Sequence, residues 1–153
     1  YICSYGTSYF FGIFLMSVVI PLTVCLLNAS AVHHIEPEIL LSIISVEGGR
    51  VGAVSVNKNG SEDLGIMQIN THAWLPLVSN TFFAGNQQIA NEKLTNDGCF
   101  NIYVGTWILS KAISEENGDV WEGVGKYHSK TPTYKYKYIE KVKKEYERIK
   151  SYR

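Results

Sequence analysis

No charged residue occurs before His33, and only three cysteines occur among the 153 residues. The first absence sets the N-terminal stretch apart. Positions 9–27 read YFFGIFLMSVVIPLTVCLL, apolar almost throughout, and Ala29-Ser30-Ala31 follows as an A-x-A cleavage pattern. A run of this length also approaches that of a membrane anchor, but Pro21 and the small-residue exit favour a secretory signal over residues 1–31. A basic n-region and an initiating Met are both missing, so the leader reads as incomplete. Residues 32–153 then form one mature domain of about 120 residues, enough for one core and not for two. Cys3 and Cys25 would leave with the leader, and a lipoprotein at Cys25 is disfavoured by the bulky Val24 before it. Cys99 then stands alone, which excludes an internal disulfide and makes it a buried small hydrophobe.

An excess of either charge is also lacking. Lys and Arg number 14 against 14 Asp and Glu, a balance that speaks against general nucleic-acid binding. The distribution is uneven, since residues 133–153 hold eight Lys/Arg and three Glu, which marks a basic, solvated helix face near the C-terminus. His33, His34, His72 and His128 show no metal-ligand spacing, so no metal and no cofactor are expected. Internal repeats and low-complexity linkers are absent as well.

The patterns that remain are mostly helical. Pro37 suits a first helical turn, Ile39 to Val46 supply apolar positions, and Gly48-Gly49 stops the helix. Leu40, Ile43, Ile44 and Glu47 share one face at i, i+3, i+4, i+7 spacing, so a glutamate stands where a core residue is expected. Partial burial there disfavours the charged form and suits a general acid, and the two glycines leave room for a bulky chain to approach. Val51–Leu64 alternates around Asn57-Lys58-Asn59-Gly60, a hairpin signal. Thr71 suits the N-cap of the next helix. A longer helix is expected over Cys99–Ile113, a short one from Asp119 to Tyr127, and a last one with Tyr138, Val142, Tyr146 and Ile149 on one stripe. The fold class is α+β, mainly helical, with one small β-hairpin.

Four blocks carry a resemblance. They are Val46-Glu47-Gly48-Gly49-Arg50-Val51-Gly52; Asn57-x-Asn59-Gly60-x-x-Asp63-Leu64-Gly65-x-Met67-Gln68-Ile69-Asn70-Thr71; Asp97-x-Cys99-x-Asn101-Ile102-x-x-Gly105-x-Trp107; and Tyr127-His128-Ser129-x-Thr131-Pro132. Together they resemble SLT-type lytic transglycosylases of the lysozyme-like superfamily, in the small forms associated with conjugation and type IV secretion. The resemblance implies a lysozyme-like domain in an exported protein of the periplasm or cell envelope. It implies peptidoglycan glycan strands as substrate, and components of a conjugation or secretion machine as partners. It makes Glu47 the catalytic acid/base and Met67, Gln68 and Asn70 cleft-lining residues. It sets Tyr127 opposite the glutamate, with its hydroxyl on the carboxyl. Many family members carry Ser after the glutamate, where this chain has Gly48; the subgroup it resembles carries Gly-Gly.

Asp63 leaves the product open. GSEDLGIMQIN also resembles the block of animal-type lysozymes whose aspartate is the second catalytic carboxylate. A retaining hydrolase needs two carboxyls roughly 5 Å apart, whereas a lytic transglycosylase uses the sugar's own 6-hydroxyl and needs one. Asp63 is thus an assisting carboxylate or a turn residue bonding nearby backbone. A catalytically silent glycan-binding module is the alternative of another class. Tyr138 reads as core, and Tyr134 as a ring that stacks on glycan.

Overall fold

A computed structural model describes residues 20–152. Cys3 and the greater part of the apolar run from Tyr9 lie outside the described residues. Among those described, no helix is long and apolar enough to cross a membrane. The elements in order are α1 (Leu22–His33), α2 (Pro37–Glu47), β1 (Val54–Val56), β2 (Glu62–Leu64), β3 (Ile69–Asn70), α3 (Thr71–Phe82), α4 (Gln87–Asn96), α5 (Gly98–Glu115), α6 (Val120–His128) and α7 (Pro132–Lys150).

Helix ends are set by short polar side chains, as the orphan N–H groups of a first turn require. Asn70, Asn86 and Asp97 accept from the third residue onward at 3.0–3.1 Å, opening α3, α4 and α5. Asp119 accepts from both Trp121 and Glu122 N–H at 3.0 Å. Pro37 and Pro132 open α2 and α7 at the position where a missing N–H costs nothing. Thr71 is not the cap expected. It is the first residue of α3, and its Oγ1 accepts from Glu62 N–H at 2.9 Å, tying the helix to β2.

Helix α5 is the axis of the molecule. Asn101, Ile102, Val104, Thr106, Ile108 and Leu109 are buried on it, and α1, α4 and α6 pack around it, while α7 lies against α2 and α6. Leu40 and Ile43 of α2, Leu64, Met67, Ile69, Val78, Leu94, Val124 and Val142 complete the core. Burying each such side chain contributes about 1.5–3 kcal/mol.

The expected single hairpin is a three-stranded antiparallel sheet in the order β1-β2-β3, with Ser55 opposite Asp63 and Asp63 opposite Asn70. Two-residue β3 is too short to leave an alternation signal. Asn101 anchors the sheet to the helices. Its Nδ2 donates to the Leu64 and Leu94 carbonyls at 2.8 and 2.7 Å, and its Oδ1 accepts from Met67 N–H at 2.9 Å. Asn101→Leu should strand three buried backbone groups and cost about 3 kcal/mol or more, readable in urea unfolding; a loss under ~1 kcal/mol would contradict this anchoring.

The cysteine reading is overturned. Cys25 of α1 and Cys99 of α5 form a disulfide, with Cα atoms 5.3 Å apart. Leu26 and Ala29 of the same helix are buried in the core, and the Ser30 hydroxyl donates to the Ile35 carbonyl. The stretch that reads as a leader exit is therefore, from Leu22 onward, a helix packed on α5, with Leu26 and Ala29 buried and Leu27 and Val32 exposed. Among the described residues the first helix is α1, ahead of the one at Pro37. Sequence alone misses it because an apolar helix facing a core and an apolar h-region look alike without a partner surface.

Candidate active site

Glu47 is the last residue of α2, and the helix stops there for a local reason. Gly48 takes φ 65°, the left-handed conformation of a helix C-cap, and its N–H donates to Ile44 O at 3.1 Å. Gly49 has a different duty. A Cβ there would lie 2.3 Å from the Gly65 carbonyl oxygen and 2.7 Å from that of Ile66, so only glycine lets the sheet loop close against the end of α2. The room expected for a bulky ligand at Gly49 is thus filled by the chain itself.

The Glu47 side chain is 15% exposed, at the wall of a cavity of about 730 Å³. Tyr138 of α7 donates its hydroxyl to Glu47 Oε1 at 2.6 Å. His128, at the end of α6, holds Nδ1 4.0 Å from the same oxygen and stacks its ring on Tyr138, centroids 4.3 Å apart and planes 1° from parallel. Burial pushes the Glu47 carboxyl up to about 7; the Tyr138 hydrogen bond opposes this, the Asp63 charge adds to it, and the Lys141 charge opposes it. Burial also lowers His128, with Lys141 reinforcing and Asp63 opposing, so the ring is neutral at neutral pH and makes no ion pair with Glu47. Burial, then the Glu47 charge, raises the Tyr138 hydroxyl, which stays protonated and available as a donor.

Asp63 lies on β2 and lines the same cavity. Both of its oxygens are engaged by amides: Oδ1 accepts from Asn70 Nδ2 at 2.7 Å and Oδ2 from Asn57 Nδ2 at 3.0 Å. Ser61 Oγ accepts from the same two amides and donates to Asn59 Oδ1 at 2.8 Å. NGSED thus folds into a closed polar network that holds a carboxylate on the cavity wall.

The other expected residues divide. Gln68 and Asn70 line the cavity. Gln68 sits at φ 52° with Nε2 donating to Gly65 O at 2.8 Å, and Asn70 both caps α3 and holds Asp63. Met67 does not line the cavity. It is fully buried behind the floor, in the notch left by Gly105, where an added Cβ would come within 2.5 Å of its Sδ. Tyr127 lines the cavity, but its hydroxyl donates to the Met67 carbonyl at 2.9 Å and not to Glu47. The tyrosine on the carboxyl is Tyr138. The sequence reads Tyr138 as a core residue of an apolar stripe, and a stripe does not say which helix it faces. His128 and Trp74 on the cavity wall were not anticipated, whereas Tyr134, 62% exposed, does line the cavity as a stacking ring would require.

A desolvated carboxyl raised to about 7 on the wall of an amide-lined groove is able to donate a proton to a bound group. Residues 25–149 match the transglycosylase SLT domain. The chain belongs to the SLT transglycosylase family. Its match begins at Cys25, which agrees with α1 being part of the fold. This SLT domain is 32% identical over 149 residues to the invasion protein IagB of Salmonella typhimurium, covering 93% of this chain and 88% of the relative. It is 31% identical over 130 residues to protein IpgF of Shigella flexneri, covering 82% and 80%. It is 32% identical over 108 residues to the X polypeptide of Escherichia coli, covering 70% and 59%. SLT membership points to a peptidoglycan-cleaving enzyme, and the disulfide points to an oxidising, extracytoplasmic compartment.

Proposed function

We propose that this SLT domain is an exported lytic transglycosylase that cuts the β-1,4 bond between N-acetylmuramic acid and N-acetylglucosamine, leaving a 1,6-anhydro muramic end. The observation that carries the reading is Glu47: a nearly buried carboxyl pushed up to about 7 at the wall of a polar cavity. Its proton goes to the glycosidic oxygen as the C1–O bond breaks. The resulting carboxylate then takes the proton of the muramic 6-hydroxyl as that oxygen bonds C1. No water is consumed, and Glu47 ends protonated as it began. The Tyr138 hydroxyl steadies the carboxylate between the two steps, when its charge is transient. Gln68 offers its amide oxygen and second N–H to sugar hydroxyls and N-acetyl groups, Asn70 lines the cavity while holding Asp63, and Tyr134 offers a ring face.

Asp63 favours a second reading, a muramidase in which it stabilises charge or attacks C1 while water completes hydrolysis. It faces the same cavity and its charge reaches Glu47. Its two oxygens are, however, already bonded to Asn57 and Asn70, which suits a fixed electrostatic role better than attack. Mass analysis of borohydride-treated digests separates the two. The expected muramic ends resist reduction and are one water lighter; reducible ends would overturn the transglycosylase. A glycan-binding module would release no fragments at all.

The likeness to a protein named for invasion supports a role in local wall opening for a secretion or conjugation apparatus. The same proposal puts any leader removal on the N-terminal side of Cys25, because cleavage after Ala31 would take Cys25, Leu26 and Ala29 out of the fold.

A further inference from the structure

We propose that His128 is a positioning residue whose imidazole, stacked face to face on Tyr138, holds that hydroxyl on Glu47. The inference rests on Glu47 being the acid, and it adds a residue that touches the acid only through another. Three distances define the relay. The rings lie 4.3 Å apart within 1° of parallel, the Tyr138 hydroxyl is 2.6 Å from Glu47 Oε1, and His128 Nδ1 is 4.0 Å from that oxygen, too far for a direct hydrogen bond.

A tyrosine hydroxyl at the end of a long ring is fixed only as well as the ring is. Tyr138 reaches Glu47 from α7 with its ring buried against the core, and His128 covers one face of that ring. The side chain of His128 is 43% exposed in the cavity wall and lays its ring flat on that of the buried Tyr138. Glu47 from α2, Asp63 from β2, and Tyr138 and Lys141 from α7 are the titratable and charged groups that act on the imidazole. Neutrality matters as much as shape: a cation at 4 Å from the carboxyl would favour its ionised form and withdraw the proton that catalysis uses. A neutral, flat, polar-edged ring meets both demands.

The full chain is tested as His128→Ala, His128→Phe, Tyr138→Phe and the double variant His128→Ala/Tyr138→Phe, with far-UV circular dichroism confirming the fold of each. His128→Ala should lower kcat roughly tenfold with KM unchanged, the scale expected when a reacting group is misplaced by a fraction of an ångström to an ångström. His128→Phe, which keeps the plate, should restore most of that loss. Because the Tyr138 hydrogen bond holds Glu47 down, His128→Ala and Tyr138→Phe should both move the alkaline limb of the kcat profile to higher pH. In the double variant the two losses should not add. Full additivity, a change confined to KM, or a Phe variant as poor as Ala would overturn the proposal.

The Glu47 carboxyl signal in 13C NMR, assigned with Glu47→Gln, separates this relay from the catalytic assignment. Its titration midpoint should rise alike in His128→Ala and Tyr138→Phe. A midpoint unmoved by His128→Ala overturns the positioning role, whereas lysis that survives Glu47→Gln overturns only the identity of the acid.

Discussion

Glu47→Gln is expected to lose lysis by about 10²–10⁴-fold and yet to be the more stable protein at pH 8. The first effect follows from chemistry. An amide of the same shape still accepts from Tyr138 but has no proton to give the glycosidic oxygen. The second follows from linkage. The folded-state carboxyl is raised from an ordinary 4.5 to about 7, so the folded protein holds a proton that the unfolded chain has already released. A carboxyl raised in this way favours folding fully below pH 4.5, and the favour is lost as pH rises through 7. The loss is on the order of 3 kcal/mol by pH 8. Glutamine, never charged, does not incur it. Urea unfolding should therefore find the variant and the wild type alike at pH 4 and the variant ahead at pH 8. Equal stability at pH 8 would mean that Glu47 is not desolvated, and the raised acid would go with it. Wild-type lysis should fall on the alkaline side as the same carboxyl ionises near pH 7.

Loss of the Cys25–Cys99 bond is the second large expected effect. It closes a loop with a sequence separation of 74, and constraining an unfolded chain over such a loop stabilises by about 4 kcal/mol in the chain-entropy account. Cys25→Ser, Cys99→Ser and the double variant should each lose stability on that scale in urea, and all should match reduced wild type. The mechanism includes packing, because α1 is tethered to α5 through this bond and carries Leu26 and Ala29 into the core. Exposure of that face adds to the loss and should appear as protease cleavage near His33-His34, where the chain leaves α1. A wild type indifferent to reductant would show that α1 holds by burial alone. Activity should survive mild loss of this bond, because no residue lining the cavity of Glu47 belongs to α1.

Much of the fold was legible before any coordinates. The stretches at Pro37–Glu47, Gly98–Glu115, Val120–His128 and Pro132–Lys150 carry apolar residues at helical spacing, and Gly48-Gly49 and Thr131-Pro132 add stops after the first and third of them. Helix α4 was not legible, since Gln87–Asn96 is mostly polar and buries only Ala90, Leu94 and Thr95. Helix α1 was legible as apolar, but its packing on α5 and its disulfide were not. For the site, Glu47 stood out because a charge on a core stripe demands compensation. Asp63, Gln68 and Asn70 came through the resemblance and do line one cavity with it. Met67 and Tyr127 came the same way. There the structure assigns the contacts differently: Met67 lies beneath the cavity, and Tyr127 braces its carbonyl.

The residue order by itself determined the course of α2, α5, α6 and α7, and that one glutamate sits on the apolar face of α2. These are local properties, set by backbone dihedrals, caps and a 3.6-residue period over neighbours in the chain. Only the tertiary structure decided which hydroxyl meets Glu47, which cysteine meets Cys99, and whether an apolar N-terminal stretch belongs inside the fold. Each of those is a meeting of residues 74 to 91 positions apart. Their encounter is chosen by the mutual packing of α1, α2, α5 and α7, where a rotation of α7 by a single residue would exchange Tyr138 for Lys137 or Ile139.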